Sequence, residues 1–404
     1  MLINQTFEID SCDDVELNIK RTSKLEYRIS YDDEKDIKAI VFVIGGYGAN
    51  ANISFLDFDR EYIAKNFDVV VVHVFYHCFC ARISNNKKYS ASISFMEEDL
   101  LSLSKILLDF GINPQNLDCK NSTKYYELLI QHIITLKSQG KLAQNYQAKF
   151  TSTFIPPNGD YQNYGIMAAI DHINALKDLV KRFPKFADLP KIYGGGSYGG
   201  YLSLLIAKIA PWYVDGVIDN SGTVLPLLEC IIGKDLSRPE FFFSDLNKLV
   251  GMFIKTYWTR EDERLSYFFT NENYMIRSLL NSSHLTIQAS VNKNIILVSY
   301  HSLKDPFNTA KDKQTLFLAY KELGYDATLH LIKDESEIDG RFIKDLNHGM
   351  RITDKALFRK ELPLMLEKLQ GRKSFMQENS ISYPCGNKVF TFKDVENQLK
   401  LIIN

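Results

Sequence analysis

The seven residues Gly194-Gly195-Gly196-Ser197-Tyr198-Gly199-Gly200 constrain this chain more than any other stretch. They follow a short apolar strand at 189–193 and precede a helical run at 201–210 that Pro211 ends. A chain passing from strand to helix through glycines on both sides of one serine has to turn sharply there. The pattern Gly195-x-Ser197-x-Gly199 therefore predicts a strained serine backbone with an exposed hydroxyl, and neighbours small enough not to collide with it. The unpaired N–H groups at the start of the following helix would face any anion formed beside that hydroxyl.

The same glycines also satisfy Gly194-x-Gly196-x-x-Gly199 with Asp219 downstream, the outline of a dinucleotide-binding turn. Such fingerprints usually open the first βαβ unit of their domain, whereas this one follows two parallel-type strands, so the serine reading is preferred and no cofactor is expected. A nucleophilic serine needs a base, and the base needs an acid to orient it. Asp305 lies in His301-Ser302-Leu303-Lys304-Asp305-Pro306-Phe307, the loop after a strand at 294–300, with Asp334 and Asp339 as substitutes. Asn347-His348-Gly349 follows the next strand and precedes the last amphipathic helix, which makes His348 the candidate base. His73, inside a valine-rich strand, reads as a core residue, and His301 as a residue lining the pocket beside Asp305. Acyl transfer also requires two donors for the oxyanion. The backbone N–H of Tyr198 is one, and the second is expected in Gly45-Gly46-Tyr47-Gly48, at Gly46 or Tyr47.

The surrounding pattern alternates strand and helix. Strand-like segments at 6–9, 15–19 and 24–30 lead to a fully apolar run at 39–44 and a second, with four consecutive valines, at 67–74. That alternation predicts a mostly parallel sheet flanked by helices, an α/β fold. A stretch at 76–161 has helical patterns at 96–108 and 125–136 and reads as an insertion. A second insertion at 223–290 carries Phe241-Phe242-Phe243, Tyr257, Trp258, Tyr267, Phe268 and Phe269, and is expected to form a mostly helical cap. The main domain then spans 1–370. Residues 371–404 form an appendix, with a hairpin through 381–392 turning at Cys385-Gly386-Asn387 and a last short helix.

Composition narrows the class. The chain has 404 residues, 45% hydrophobic, with 48 basic against 49 acidic side chains, so it can bury a full core and offers no electrostatic case for a nucleic-acid partner. The first twenty residues lack a basic start and an apolar stretch of signal length, and no run is long enough for a membrane span. Six scattered cysteines suit reduced thiols, and Cys78-Phe79-Cys80 has no second pair at zinc-ligand spacing. A cytoplasmic, metal-independent protein acting on a small molecule or short peptide is the expectation.

With these residues in hand, the chain resembles the α/β-hydrolase superfamily. Gly195-Gly196-Ser197-Tyr198-Gly199-Gly200 looks like the nucleophile elbow of prolyl-oligopeptidase-like serine hydrolases. The acid of that family lies in a segment resembling His-Gly-x-x-Asp-x-x-Val, and Asp305 holds the matching position, with Ser302 in place of the glycine and Asn308 of the valine. Ile44 stands where many relatives carry a histidine before the double glycine, and their N-terminal β-propeller has no counterpart here. The whole is similar to a bacterial family of hydrolases with no assigned function. The resemblance covers roughly residues 35–370 and implies ester or amide hydrolysis through Ser197, His348 and Asp305. A peptidase, an acyltransferase and a non-catalytic binding protein of the same fold are the alternatives.

Overall fold

The most apolar runs of the sequence become the innermost strands. In the computed structural model, which describes residues 1–47 and 53–404, two antiparallel strands, β1 (Leu2–Asp10) and β2 (Lys24–Asp32), lead into β3 (Ala39–Val43) and β4 (Val69–Phe75). Every residue of β3 is buried, as are six of the seven of β4, and a strand covered on both faces can dispense with polar alternation. The chain next forms β5 (Ser92–Ser94) and β6 (Ala148–Ile155), then β7 (Lys191–Gly196) and β8 (Gly216–Asn220), then β9 (Phe241–Ser244) and β10 (Lys248–Ile254). It closes with β11 (Ile296–Ser302), β12 (Asp326–Ile332), β13 (Ser380–Cys385), β14 (Lys388–Val395) and β15 (Gln398–Ile403).

Eight of these strands make one sheet in the order β1-β2-β4-β3-β7-β8-β11-β12, antiparallel at β1–β2 and β2–β4 and parallel elsewhere. A mostly parallel sheet with its second strand reversed, strands three and four exchanged, and helices between the parallel strands is the α/β-hydrolase arrangement. The expectation from the sequence is met at this level. Its core includes Val41, Ile192, Ile218, Val298, Leu357 and Phe358.

The chain divides into two compact units. The first comprises Met1–Phe79, Tyr164–Pro226 and Thr270–Asn404, and holds the eight-stranded sheet together with the antiparallel sheet β13-β14-β15. The second comprises Cys80–Asn163 and Leu227–Phe269. Its helices Glu97–Asp109 and Ser122–Ser138 fall where helical spacing puts them. It also carries a four-stranded sheet, β5-β6-β10-β9, which corrects the mostly helical reading of these insertions. The aromatic run Phe241-Phe242-Phe243 lies on β9, an edge strand in a hairpin with β10, and β10 in turn pairs in parallel with β6, about a hundred residues earlier, so local periodicity did not announce that sheet. Two smaller corrections fall in the first unit. Residues 15–19 make a turn closed by an Asp14–Ile19 bridge rather than a strand, and the chain ends in β15 rather than a helix. The alternating burial of β15 is that of a strand with one covered face.

Candidate active site

The elbow begins where β7 ends. Gly196 is its last residue, and Ser197 follows at φ 57°, ψ −121°, immediately before the helix Tyr198–Ile209. A left-handed serine is strained, and the surroundings hold it: its N–H donates to the carbonyl of Asn220 at 2.7 Å. The flanking glycines answer a different need. A Cβ on Gly195 or on Gly199 would stand 2.0 Å from the carbonyl oxygen of Ile44, so both must be glycine for the β3 loop to pass the elbow. Ile44 thus acts through its backbone.

Ser197, His348 and Asp305 are brought together. The Ser197 hydroxyl lies 2.7 Å from Nε2 of His348, and Nδ1 of the same ring lies 2.8 Å from Oδ2 of Asp305. The Asp305 side chain is fully buried and that of His348 is 20% exposed, so the ring, unlike its carboxylate partner, is open to solvent. Burial by itself would raise the Asp305 carboxyl. The hydrogen bond and charge of His348 and the backbone N–H of Phe307 outweigh it and hold the group below its usual range, ionised beside the imidazole. The substitutes stay elsewhere: Asp334 caps the turn at Ser336, and Asp339 takes the N–H groups of Arg341, Phe342 and Ile343.

His348 is held by an unusual loop. Gly349, Met350 and Arg351 are all left-handed, at φ 73°, 50° and 51°, and Met350 is fully buried in the core. Phe307 packs edge-on against the His348 ring at 5.1 Å between centroids while remaining 60% exposed. His301 does not line a pocket. It is completely buried, Nε2 lies 3.3 Å from the carbonyl of Asn308, and burial pushes its pKa down to about 4. His73 is in the core as expected, with Nδ1 at 3.1 Å from the Val43 carbonyl.

Of the residues expected to donate to an oxyanion, Tyr198 is the first residue of its helix, so its N–H has no intrahelical acceptor. Gly46 lies alongside Ser197: a Cβ built on it would sit 3.8 Å from the serine Cβ. Tyr47 crosses Tyr198 ring to ring at 5.3 Å, and Gly48 lies outside the described residues. The hydroxyl of Tyr76 donates to the carbonyl of Gly45 at 3.0 Å, fixing the loop from the β4 side. Asp354, at the start of the helix Asp354–Lys368, accepts the N–H of Gly196 at 2.9 Å. Burial, reinforced by the charge of Asp59, pushes its carboxyl up to about 7.

The dinucleotide reading fails on Asp219. Its carboxylate is buried and already accepts from Lys313 Nζ and Ser299 Oγ, each at 2.6 Å, and from the Gly222 N–H at 2.8 Å. Nothing is left to meet a ribose. Among the described residues no group of three or more His, Cys, Asp and Glu side chains is placed to hold a metal ion, and no helix is long and apolar enough to cross a membrane. The sequence reading passed over the contacts that Asp354, Phe307 and Asn220 make around these residues. Only Asp219-Asn220-Ser221-Gly222 carried a signal, as a turn after a buried strand.

Residues 5–403 match the model of a family described as "Protein of unknown function (DUF2920)". The chain belongs to that family. No curated protein matches it in sequence. Among solved structures it is similar to an acylaminoacyl peptidase from Pyrococcus horikoshii, at 14% identity and a TM-score of 0.45, over 94% of this chain and 43% of that one. It is similar to a putative dipeptidyl aminopeptidase IV from Bacteroides ovatus, at 12% identity and a TM-score of 0.46, over 91% and 36%. A putative dienelactone hydrolase from Klebsiella pneumoniae overlays at 8% identity and a TM-score of 0.39, over 90% and 98%. The chain thus spans less than half the length of the two peptidases. Its fold is defined by its own strand order.

Proposed function

We propose that the chain is a serine hydrolase that cleaves an ester of an acylated small molecule or sugar through an acyl-enzyme. The observation that carries this reading is the unbroken row from Ser197 Oγ to His348 Nε2 and from His348 Nδ1 to Asp305 Oδ2. Asp305 accepts a hydrogen bond from Nδ1–H, which keeps that proton on Nδ1 and leaves Nε2 free to take the serine proton as Oγ attacks the carbonyl carbon. The tetrahedral oxyanion meets the N–H of Tyr198 and that of Gly46 or Tyr47, donors worth about 3–4 kcal/mol each. The imidazolium returns its proton to the leaving alkoxide, which departs as the alcohol. Water, deprotonated by the same Nε2, then releases the acid and restores Ser197. No cofactor enters these steps.

A peptide amide or an acyl acceptor other than water would use the same residues, and both remain alternatives for the substrate. The cap role read for residues 223–290 and a cytoplasmic setting belong to the same proposal. Aryl acetates test it: wild type is expected to release the phenol in a burst and to carry a transient acetyl group on Ser197 by mass spectrometry, and Ser197→Ala to do neither. A folded wild type that never acylates would leave a binding protein built on a hydrolase fold.

A further inference from the structure

Asn220, the last residue of β8, and Ser221, which follows it, are almost completely buried and belong to no part of the row just described. Between them they are hydrogen-bonded to all three segments that carry it. The Asn220 carbonyl accepts the N–H of Ser197 at 2.7 Å. The Asn220 amide donates to the carbonyl of Gly349 at 3.0 Å, and the Ser221 hydroxyl accepts the Gly349 N–H at 3.2 Å, so both backbone groups of the residue after His348 are gripped. The Ser221 carbonyl accepts the amide of Asn308 at 3.1 Å, and Asn308 donates its own N–H to Asp305 at 3.2 Å. A further bond, Ser221 N–H to the Tyr300 carbonyl at 2.8 Å, ties the pair to β11, and the Ser221 hydroxyl lies 3.3 Å from Oδ1 of Asn220.

Backbone conformation adds a second observation. Ser221 is left-handed at φ 58°, and a serine has no local reason to adopt that conformation in a buried position. Glycine would be relaxed there, but glycine has no hydroxyl to accept from Gly349. The grip also falls on a loop that needs holding, because Gly349, Met350 and Arg351 are left-handed in succession. Beneath it, the buried Lys313–Asp219 ion pair and the Ser299–Asp219 hydrogen bond fix the end of β8 against β11, so the pair has a rigid base.

We propose that Asn220 and Ser221 are positioning residues that set the His348 ring between Ser197 and Asp305. The inference rests on the serine-hydrolase reading for its kinetic consequence but not for its geometric one. Losing either grip frees the Gly349 peptide and lets the ring drift from the serine. A misplacement of that scale costs about a hundredfold in rate without changing how substrate binds.

The test uses full-length wild type, Asn220→Ala and Ser221→Gly, with two readouts. One is the far-downfield proton resonance of the His348 Nδ1–H in its bond to Asp305, assigned by its loss in His348→Ala. The other is the kcat and KM for an aryl acetate. Ser221→Gly removes the hydroxyl while relieving the left-handed strain, so its thermal midpoint is expected to hold and folding does not obscure the result. Both variants should broaden or shift the downfield resonance and lower kcat by roughly 10–100-fold with KM within about twofold. Folded variants with the wild-type resonance and the wild-type kcat would overturn the proposal, as would a folded wild type lacking the resonance. A wild type with the resonance but no turnover would defeat the hydrolase reading alone, and the resonance in the two variants would still decide the positioning claim.

Discussion

The ends of β7 and β8 and the C-terminal sheet both bury a polar group at the centre of a hydrogen-bonded cluster, but on differently shaped backbone. In the C-terminal sheet, Asp394 on β14 accepts from Lys177 Nζ at 2.5 Å, Tyr213 OH at 3.0 Å, Trp212 Nε1 at 3.2 Å and the Asn379 N–H at 2.9 Å. The left-handed residues of that sheet, Gly386, Glu396 and Asn397, sit only in its turns, where a tight hairpin requires them. At the site, Ser197, Ser221 and Met350 are left-handed at positions that no hairpin explains, the last two fully buried. The contrast separates two uses of buried polarity. In one place it secures a relaxed structure, and substitution should cost stability. In the other it holds strained backbone in register, and substitution should cost chemistry.

The largest effect expected is at Ser197. Ser197→Ala should lower turnover of an aryl ester by at least about 10⁴-fold while leaving the thermal midpoint unchanged, measured side by side with wild type. Asp305→Asn should follow at about 10³–10⁴-fold, because the amide no longer holds the imidazole with Nε2 free as the base; kcat and KM together would show the loss in kcat. Asp394→Ala reverses the pattern. It strands the Lys177 ammonium in the interior and should remove about 3–5 kcal/mol in denaturant unfolding, with kcat of the folded protein unaltered. A large kcat loss there would break the comparison.

The smallest effect sharpens it. Because the Asp354 carboxyl is pushed up to about 7, the folded protein binds that proton more tightly than the unfolded chain does. The stability it contributes is full in acid, below the ordinary aspartate range, and is lost as pH rises toward and through 7. Asp354→Asn keeps an acceptor for the Gly196 N–H and removes the dependence. Its thermal midpoint should gain on that of wild type between pH 4 and pH 8 by roughly 2–4 °C. Equal gaps at the two pH values would contradict the assignment.

How far the sequence could be read follows the same physics. β3, β4 and β11 were legible because strands buried on both faces are written as continuous apolar runs, and the Ser197 turn because close backbone approach leaves glycine as the one choice at Gly195 and Gly199. Asp305 and His348 were singled out by their places after successive strands, and the fold sets them 2.8 Å apart. β6 and β10 were not found, since each takes the other, about a hundred residues away, as its parallel partner, and β9, four residues long, was read as an aromatic cluster instead of the first strand of a hairpin with β10. Asn220 and Ser221 were passed over for another reason: their partners are backbone groups of Ser197 and Gly349 and the side-chain amide of Asn308, contacts that no spacing in the sequence encodes.

The most direct test of the central claim is covalent labelling by a fluorophosphonate, followed by peptide mapping of the adduct. The account predicts one phosphonyl group per chain, on Ser197, formed quickly by wild type, slowly by Asp305→Asn and not at all by Ser197→Ala. A folded wild type that stays unlabelled, or an adduct mapped to any other residue, would contradict it.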